Sequence, residues 1–128
     1  MSTFNIDKQI QYWKTTALSD FETAEILIEK GKLLQGLFFC HLTIEKLLKA
    51  HFVKATETLS PKTHDLIYLM KKANLSLDEK YQLTLVTLMT YQLEGRYPDN
   101  FISSPAKEKA IEYLSQTKEL LEWLVQKL

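Results

Sequence analysis

Cysteine is almost missing from this chain: Cys40 stands alone among 128 residues. No intramolecular disulfide can form, which fits a reducing compartment and leads us to expect a cytoplasmic protein. Charge of one sign is missing too, because 16 basic side chains are balanced by 16 acidic ones. A dedicated nucleic-acid binder draws its affinity from a basic excess, so tight non-specific binding to RNA or DNA is not expected, although local basic clusters are allowed. No apolar run approaches the ~20 residues that span a bilayer. The N-terminus has no basic stretch followed by an apolar core, so no secretory leader is read there. Glycine and proline are scarce, three of each, and they read as falling between helical patterns. No repeat, low-complexity tract or linker interrupts the chain. The expectation is one domain over residues 1–128, with no membrane association and no need of a disulfide or metal to hold its core.

What is there is helical periodicity. Ile6, Ile10, Trp13, Ala17, Phe21, Ala24 and Ile28 recur at spacings of three and four, one face of a long amphipathic helix. Gly31 is placed to end it in the left-handed conformation. A second helix is expected from about Leu33 to Ala55. Its apolar residues (Leu34, Leu37, Phe38, Leu42, Ile44, Leu47, Leu48, Phe52, Val53) cover most of the circumference, the mark of a buried central helix. Cys40 falls in this run and reads as a small core residue rather than a reactive thiol.

Ser60-Pro61-Lys62-Thr63 reads as a loop, with Thr63 as N-cap of a short third helix that uses Leu66, Leu69, Met70 and Ala73 inward and closes at Asn74. Ser76-Leu77-Asp78-Glu79 has the form of a capping box. It would open a fourth helix with Leu77, Tyr81, Leu85, Leu88 and Met89 inward, ending near Gly95. Arg96-Tyr97-Pro98-Asp99-Asn100 reads as a loop, since proline disfavours helical angles in the residue before it. Ser104-Pro105 supplies an N-cap and first position for helix five, with Ala106, Ala110, Tyr113, Thr117, Leu121, Leu124 and Leu128 as its stripe. No period-two alternation is sustained anywhere. The fold class is all-α, a five-helix up-and-down bundle.

Three polar knots stand out. His41, Glu45 and Lys49 are spaced i, i+4, i+8 on helix two, so they line up along one face, in the middle of its apolar arc. Uncompensated burial of a charge costs several kcal/mol, so the stripe must be paired, partly wet or facing a cleft. Glu45 can pair with Lys49 and accept from His41, while Lys46 flanks the line. The stripe reads either as a ligand site or as a structural ion-pair network, or a seam between subunits. His64-Asp65 forms the second knot. Asp65 there gains from the positive end of the helix-three dipole, and His64 serves as a base, a donor or a structural histidine. The third knot is Arg96-Tyr97-Pro98-Asp99, where Arg96 makes a fork for phosphate or carboxylate, or pairs with Glu45 or Asp99. The three histidines, His41, His51 and His64, show no metal spacing, and His41 and His51 lie on different faces of helix two. No glycine-rich phosphate loop and no serine nucleophile elbow is present. No metal or cofactor is implied.

Three segments together resemble one family. Phe38-Phe39-Cys40-His41-Leu42-Thr43-Ile44-Glu45-Lys46-Leu47-Leu48-Lys49-Ala50 is similar to the helix-two pattern of HEPN (higher eukaryotes and prokaryotes nucleotide-binding) domains: an aromatic, a histidine, then E-K-x-x-K-A. Lys62-Thr63-His64-Asp65-Leu66 resembles their T-H-D-L element, and Glu94-Gly95-Arg96-Tyr97-Pro98-Asp99 resembles the arginine-tyrosine-proline loop of a prokaryotic branch. Order and spacing agree over essentially the whole chain.

The resemblance implies a helical bundle that dimerises, with a cleft near the dimer interface; surplus apolar surface on helix two points the same way. Some members of the family bind nucleotides. Others are metal-independent ribonucleases, including toxins encoded beside a minimal nucleotidyltransferase antitoxin. The ribonucleases carry an arginine followed four to six residues later by a histidine. Arg96 matches the arginine, but no histidine occurs from Tyr97 to Leu128. Tyr97 also sits too early to match the tyrosine that antitoxins modify. No catalytic residue is therefore assigned, and efficient catalysis is not expected. The implied function is a dimeric module binding a nucleotide or RNA phosphate. Its site set is His41, Glu45, Lys46, Lys49, His64, Asp65, Arg96 and Tyr97: Arg96, Lys49 and Lys46 hold phosphate, and His41, His64 and Tyr97 shape the pocket. The alternatives are a toxin-type ribonuclease with His41 or His64 substituting across the cleft, and a protein partner of a nucleotidyltransferase.

Overall fold

A computed structural model describes residues 4–94 and 102–128. Among the described residues five helices follow in order: α1 (Ile6–Glu29), α2 (Leu33–Thr56), α3 (Leu66–Lys72), α4 (Glu79–Met89) and α5 (Lys107–Gln126). No strand occurs among the described residues. The expected all-α five-helix bundle is the fold.

α1 opens on Asn5, whose side chain accepts from the Lys8 amide at 3.0 Å. It buries Ala17, Phe21, Ala24 and Ile28, the alternating three- and four-residue step of a single face. Gly31, at φ +84°, closes it. The Lys32 amide reaches Leu27 O at 2.8 Å and the Gly31 amide reaches Ile28 O at 3.0 Å, the paired bonds of a Schellman turn. The chain then reverses, and α2 runs back along α1.

α2 packs against all four other helices and is the central element, as its apolar circumference requires. Cys40 is fully buried in it, and burial pushes its thiol up to about 12, so it is an inert core residue. Gly36 departs from the reading that glycines lie between helices. It sits inside α2, where a Cβ would collide with Ile28 Cγ1 and approach Ala24 O at 3.3 Å. The glycine is there because α1 and α2 come together too closely for a side chain.

Helix starts differ from expectation in three places, each by two residues. α3 is capped by Asp65, whose Oδ1 accepts from the Tyr68 amide at 3.0 Å, whereas Thr63 Oγ1 accepts from the Asp65 amide at 3.2 Å and only shapes the turn before it. Its end is as expected: Asn74 at φ +56° closes a second Schellman turn, with the Leu75 amide on Met70 O at 3.2 Å. The capping box at Ser76 does not form. α4 starts at Glu79 with Asp78 at the N-cap and no side-chain cap bond, because Leu77 is drawn into the core ahead of the first turn. α4 also stops at Met89, well short of Gly95. The following turn tightens through Thr90 N to Thr87 O at 3.1 Å and Tyr91 N to Leu88 O at 2.9 Å, which buries Tyr91. α5 starts at Lys107 after an extended Ala106, rather than at Pro105. Ala106 is exposed and Ala110 is the first buried position; packing of Ala110, Thr117, Leu120, Leu121 and Leu124 sets the register instead. Shifts of this size are common where local caps compete with packing.

No helix among the described residues is long and apolar enough to cross a membrane.

Candidate functional site

The polar stripe of α2 is buried, as its phase requires. His41 is 0%, Glu45 4% and Lys49 8% exposed. Three ionisable groups in a core demand partners, and Glu45 is where they meet. Its Oε2 lies 3.1 Å from Lys49 Nζ. Its Oε1 accepts from His64 Nδ1 at 2.9 Å. Lys49 is covered from the other side by Trp13, with Nζ 5.2 Å from the ring centroid, so aromatic π density shares the ammonium with the carboxylate.

His64 does not belong to α2. It lies in the loop before α3, and two contacts clamp that loop onto the stripe. One is the Glu45–His64 bond. In the other, His41 Nε2 donates to the His64 carbonyl at 3.2 Å. A carbonyl only accepts, so Nε2 of His41 carries the proton. Burial holds His41 below the ordinary histidine range, against the opposing pull of Glu45, and the ring is neutral. Its Nδ1 is then a bare acceptor. It has no hydrogen-bond partner among the described residues, and Glu45 Oε1 stands 3.7 Å away.

The cluster reaches the surface through His64. Its side chain is 44% exposed, and its Nε2 lies 2.9 Å from Glu94 Oε2. Both ring nitrogens thus face carboxylate oxygens, and only a ring carrying both protons donates to both. The arrangement is a graded one: a neutral buried His41, a buried Glu45–Lys49 pair, and a His64–Glu94 pair in contact with water. An oriented imidazole whose Nε2 is held only by an exposed carboxylate can exchange that carboxylate for another anion or pass on a proton.

The remaining expected site residues scatter. Lys46 flanks the line as expected, but its Nζ turns to Asp20 of α1 at 2.6 Å, away from the cluster. Asp65 is exposed and caps α3. Arg96 and Tyr97 lie outside the described residues. Two participants are not singled out by sequence reasoning. Trp13 reads there only as part of an apolar stripe. Glu94 stands inside the Glu94-Gly95-Arg96 segment without a role, and that adjacency is the signal available.

A pocket of about 320 Å³ lies further along α2, lined among others by His51, Lys54, Trp123 and Lys127. Its polar groups are committed: His51 Nε2 donates to Leu124 O at 2.8 Å, and Lys54 Nζ to Lys127 O at 2.9 Å and Leu128 O at 3.2 Å. These bonds satisfy the carbonyls at the end of α5. Among the described residues no three His, Cys, Asp or Glu side chains gather as a metal ion would require.

Comparison with solved structures places this fold beside the crystal structure of TT1696 from Thermus thermophilus. The TM-score is 0.78 at 20% identity, over 94% of this chain and 98% of that one. At that identity the likeness is one of fold. No curated protein matches. The model of the HEPN domain family matches residues 10–128, a span that contains α2, His64 and Glu94. The chain belongs to the HEPN family.

Proposed function

We propose that this protein is a dimeric HEPN module that binds a nucleotide or the phosphate end of an RNA, without efficient catalysis. The observation that carries the reading is the His41–Glu45–Lys49–His64 cluster, which presents an oriented imidazole at the surface from a buried ionic base. His64 contacts the phosphate, and Arg96, two residues beyond Glu94 in the sequence, supplies the bidentate fork. Lys49 and His41 act from behind: Lys49 neutralises Glu45, and His41 fixes the loop that carries His64. Tyr97, next to Arg96 in the sequence, completes the proposed surroundings of the phosphate; Lys46 is held by Asp20 and Asp65 caps α3, so neither is assigned a contact. The test is calorimetric titration with adenosine monophosphate and inorganic phosphate. Wild type binds and Arg96→Ala loses most of the affinity; absence of binding by the wild type removes the reading. Light scattering at micromolar concentration checks the dimer.

One observation favours a second reading, a metal-independent ribonuclease. A proton-transferring histidine needs a carboxylate on Nδ1 and an Nε2 open to substrate; His64 has the first in Glu45, and gains the second when the exposed Glu94 swings off Nε2. Cleavage of a mixed RNA by wild type, lost in His64→Asn and in Arg96→Ala, would put this reading first. An uncut substrate leaves the binding module.

A further inference from the structure

Resting on the binding proposal above, we infer that His64 Nε2 is the atom that receives the ligand's phosphate, and that Glu94 occupies that position until a phosphate monoester displaces it.

The charges of the cluster support this. Glu45 and Lys49 cancel each other at 3.1 Å in the interior. His41 is neutral. What remains is His64, with its outer nitrogen Nε2 2.9 Å from the exposed carboxylate of Glu94. With Glu94 in place both ring nitrogens face carboxylate oxygens; without it Nε2 is left at the surface with no anion. An incoming anion takes the place on Nε2 that Glu94 holds.

The two carboxylates on His64 also differ in how firmly they are held. Glu45 is buried and anchored by Lys49, so it stays. Glu94 is 59% exposed and lies beyond the end of α4, in a turn rather than a helix. An exposed ion pair is weak, because water and salt screen it. Exchange of Glu94 for a phosphate oxygen is therefore cheap, while exchange of Glu45 would strand a buried ammonium. His64 keeps its orientation through the exchange, because its Nδ1 and its carbonyl are both tied to α2.

The prediction is that removing the internal anion tightens binding. Glu94→Gln should bind adenosine monophosphate roughly fivefold more tightly than wild type, the factor that ~1 kcal/mol represents. Adenosine, which lacks the phosphate, should show no such gain. In a His64→Asn background the gain from Glu94→Gln should vanish, with thermal melts confirming that both backgrounds fold. If the monophosphate binds wild type and depends on Arg96, yet Glu94→Gln changes nothing, this inference is overturned while the binding module stands. If neither adenosine monophosphate nor inorganic phosphate binds any variant, both fall.

Discussion

Glu45 Oε1 accepts a hydrogen bond from His64 Nδ1 at 2.9 Å, across 19 positions of sequence. That single contact joins the central helix to the loop before α3, and it makes one buried carboxylate the counter-ion of both a lysine and a histidine. Deleting it strands Lys49 in the core. Glu45→Ala should therefore cost about 3 kcal/mol, the usual effect of removing one partner of a buried pair. The double change Glu45→Leu with Lys49→Met should recover most of that loss. Urea unfolding of these variants beside wild type measures it, and a cost below ~1 kcal/mol for Glu45→Ala would show that the pair is not buried in solution.

Lys46 offers the contrast one residue along the same helix. Its pair with Asp20 is partly exposed. A double-mutant cycle between Lys46→Ala and Asp20→Ala should give a coupling of no more than about 1 kcal/mol, shrinking in high salt. A larger, salt-insensitive coupling would mean that the α1–α2 seam is drier than this geometry implies.

Stability should fall on the acid side through histidine. His41 and His51 are both held below their ordinary value of 6.5 by burial, so they are neutral in the folded state. Below that pH the unfolded chain takes up protons that the folded chain refuses, and folding weakens. The contribution is fully present above pH 6.5 and is lost as pH falls from there toward the lowered folded values. Each histidine contributes a slope of up to ~1.4 kcal/mol per pH unit. Melting temperatures followed from neutral pH downward should show the decline, and His51→Gln should flatten it.

Gly36→Ala tests the close approach of α1 and α2. A methyl group there meets Ile28, itself only 2% exposed and unable to step aside. Overpacking of this kind costs ~1–3 kcal/mol, and alanine's better helix propensity returns up to about 1 kcal/mol. A net loss of ~1–2 kcal/mol in chemical denaturation is expected. Stabilisation instead would show that the α1–α2 pair can spread.

Much of the site is legible in the sequence because it lies on one helix. The i, i+4, i+8 spacing of His41, Glu45 and Lys49 sets them on one face whatever the helix packs against, and the apolar residues around them dictate that the face is buried. The Glu45–Lys49 pair follows from the same spacing. His64 stands out as polar and falls before α3, but nothing in its neighbourhood says which carboxylate it meets. Glu94 is less legible still, since its role depends on α4 ending at Met89 rather than near Gly95. The misplaced helix starts share a cause: Ser76, Thr63 and Ser104-Pro105 carry good capping chemistry, but a cap bond is worth only ~1 kcal/mol. Burying Leu77 or Ala110 in register outweighs it.

Sequence alone determined the helical class, the central place of α2, the Gly31 and Asn74 turns and the burial of the α2 stripe. Each of these rests on periodicity or on a residue's own backbone preference, which acts within a few positions of itself. Tertiary structure alone decided that Glu45 faces His64, that Glu94 covers its outer nitrogen, that Trp13 shields Lys49 and that Gly36 is a contact point. These are meetings between segments far apart in the chain. They exist because helices must share one core, and the chain's local preferences do not encode which faces that core brings together.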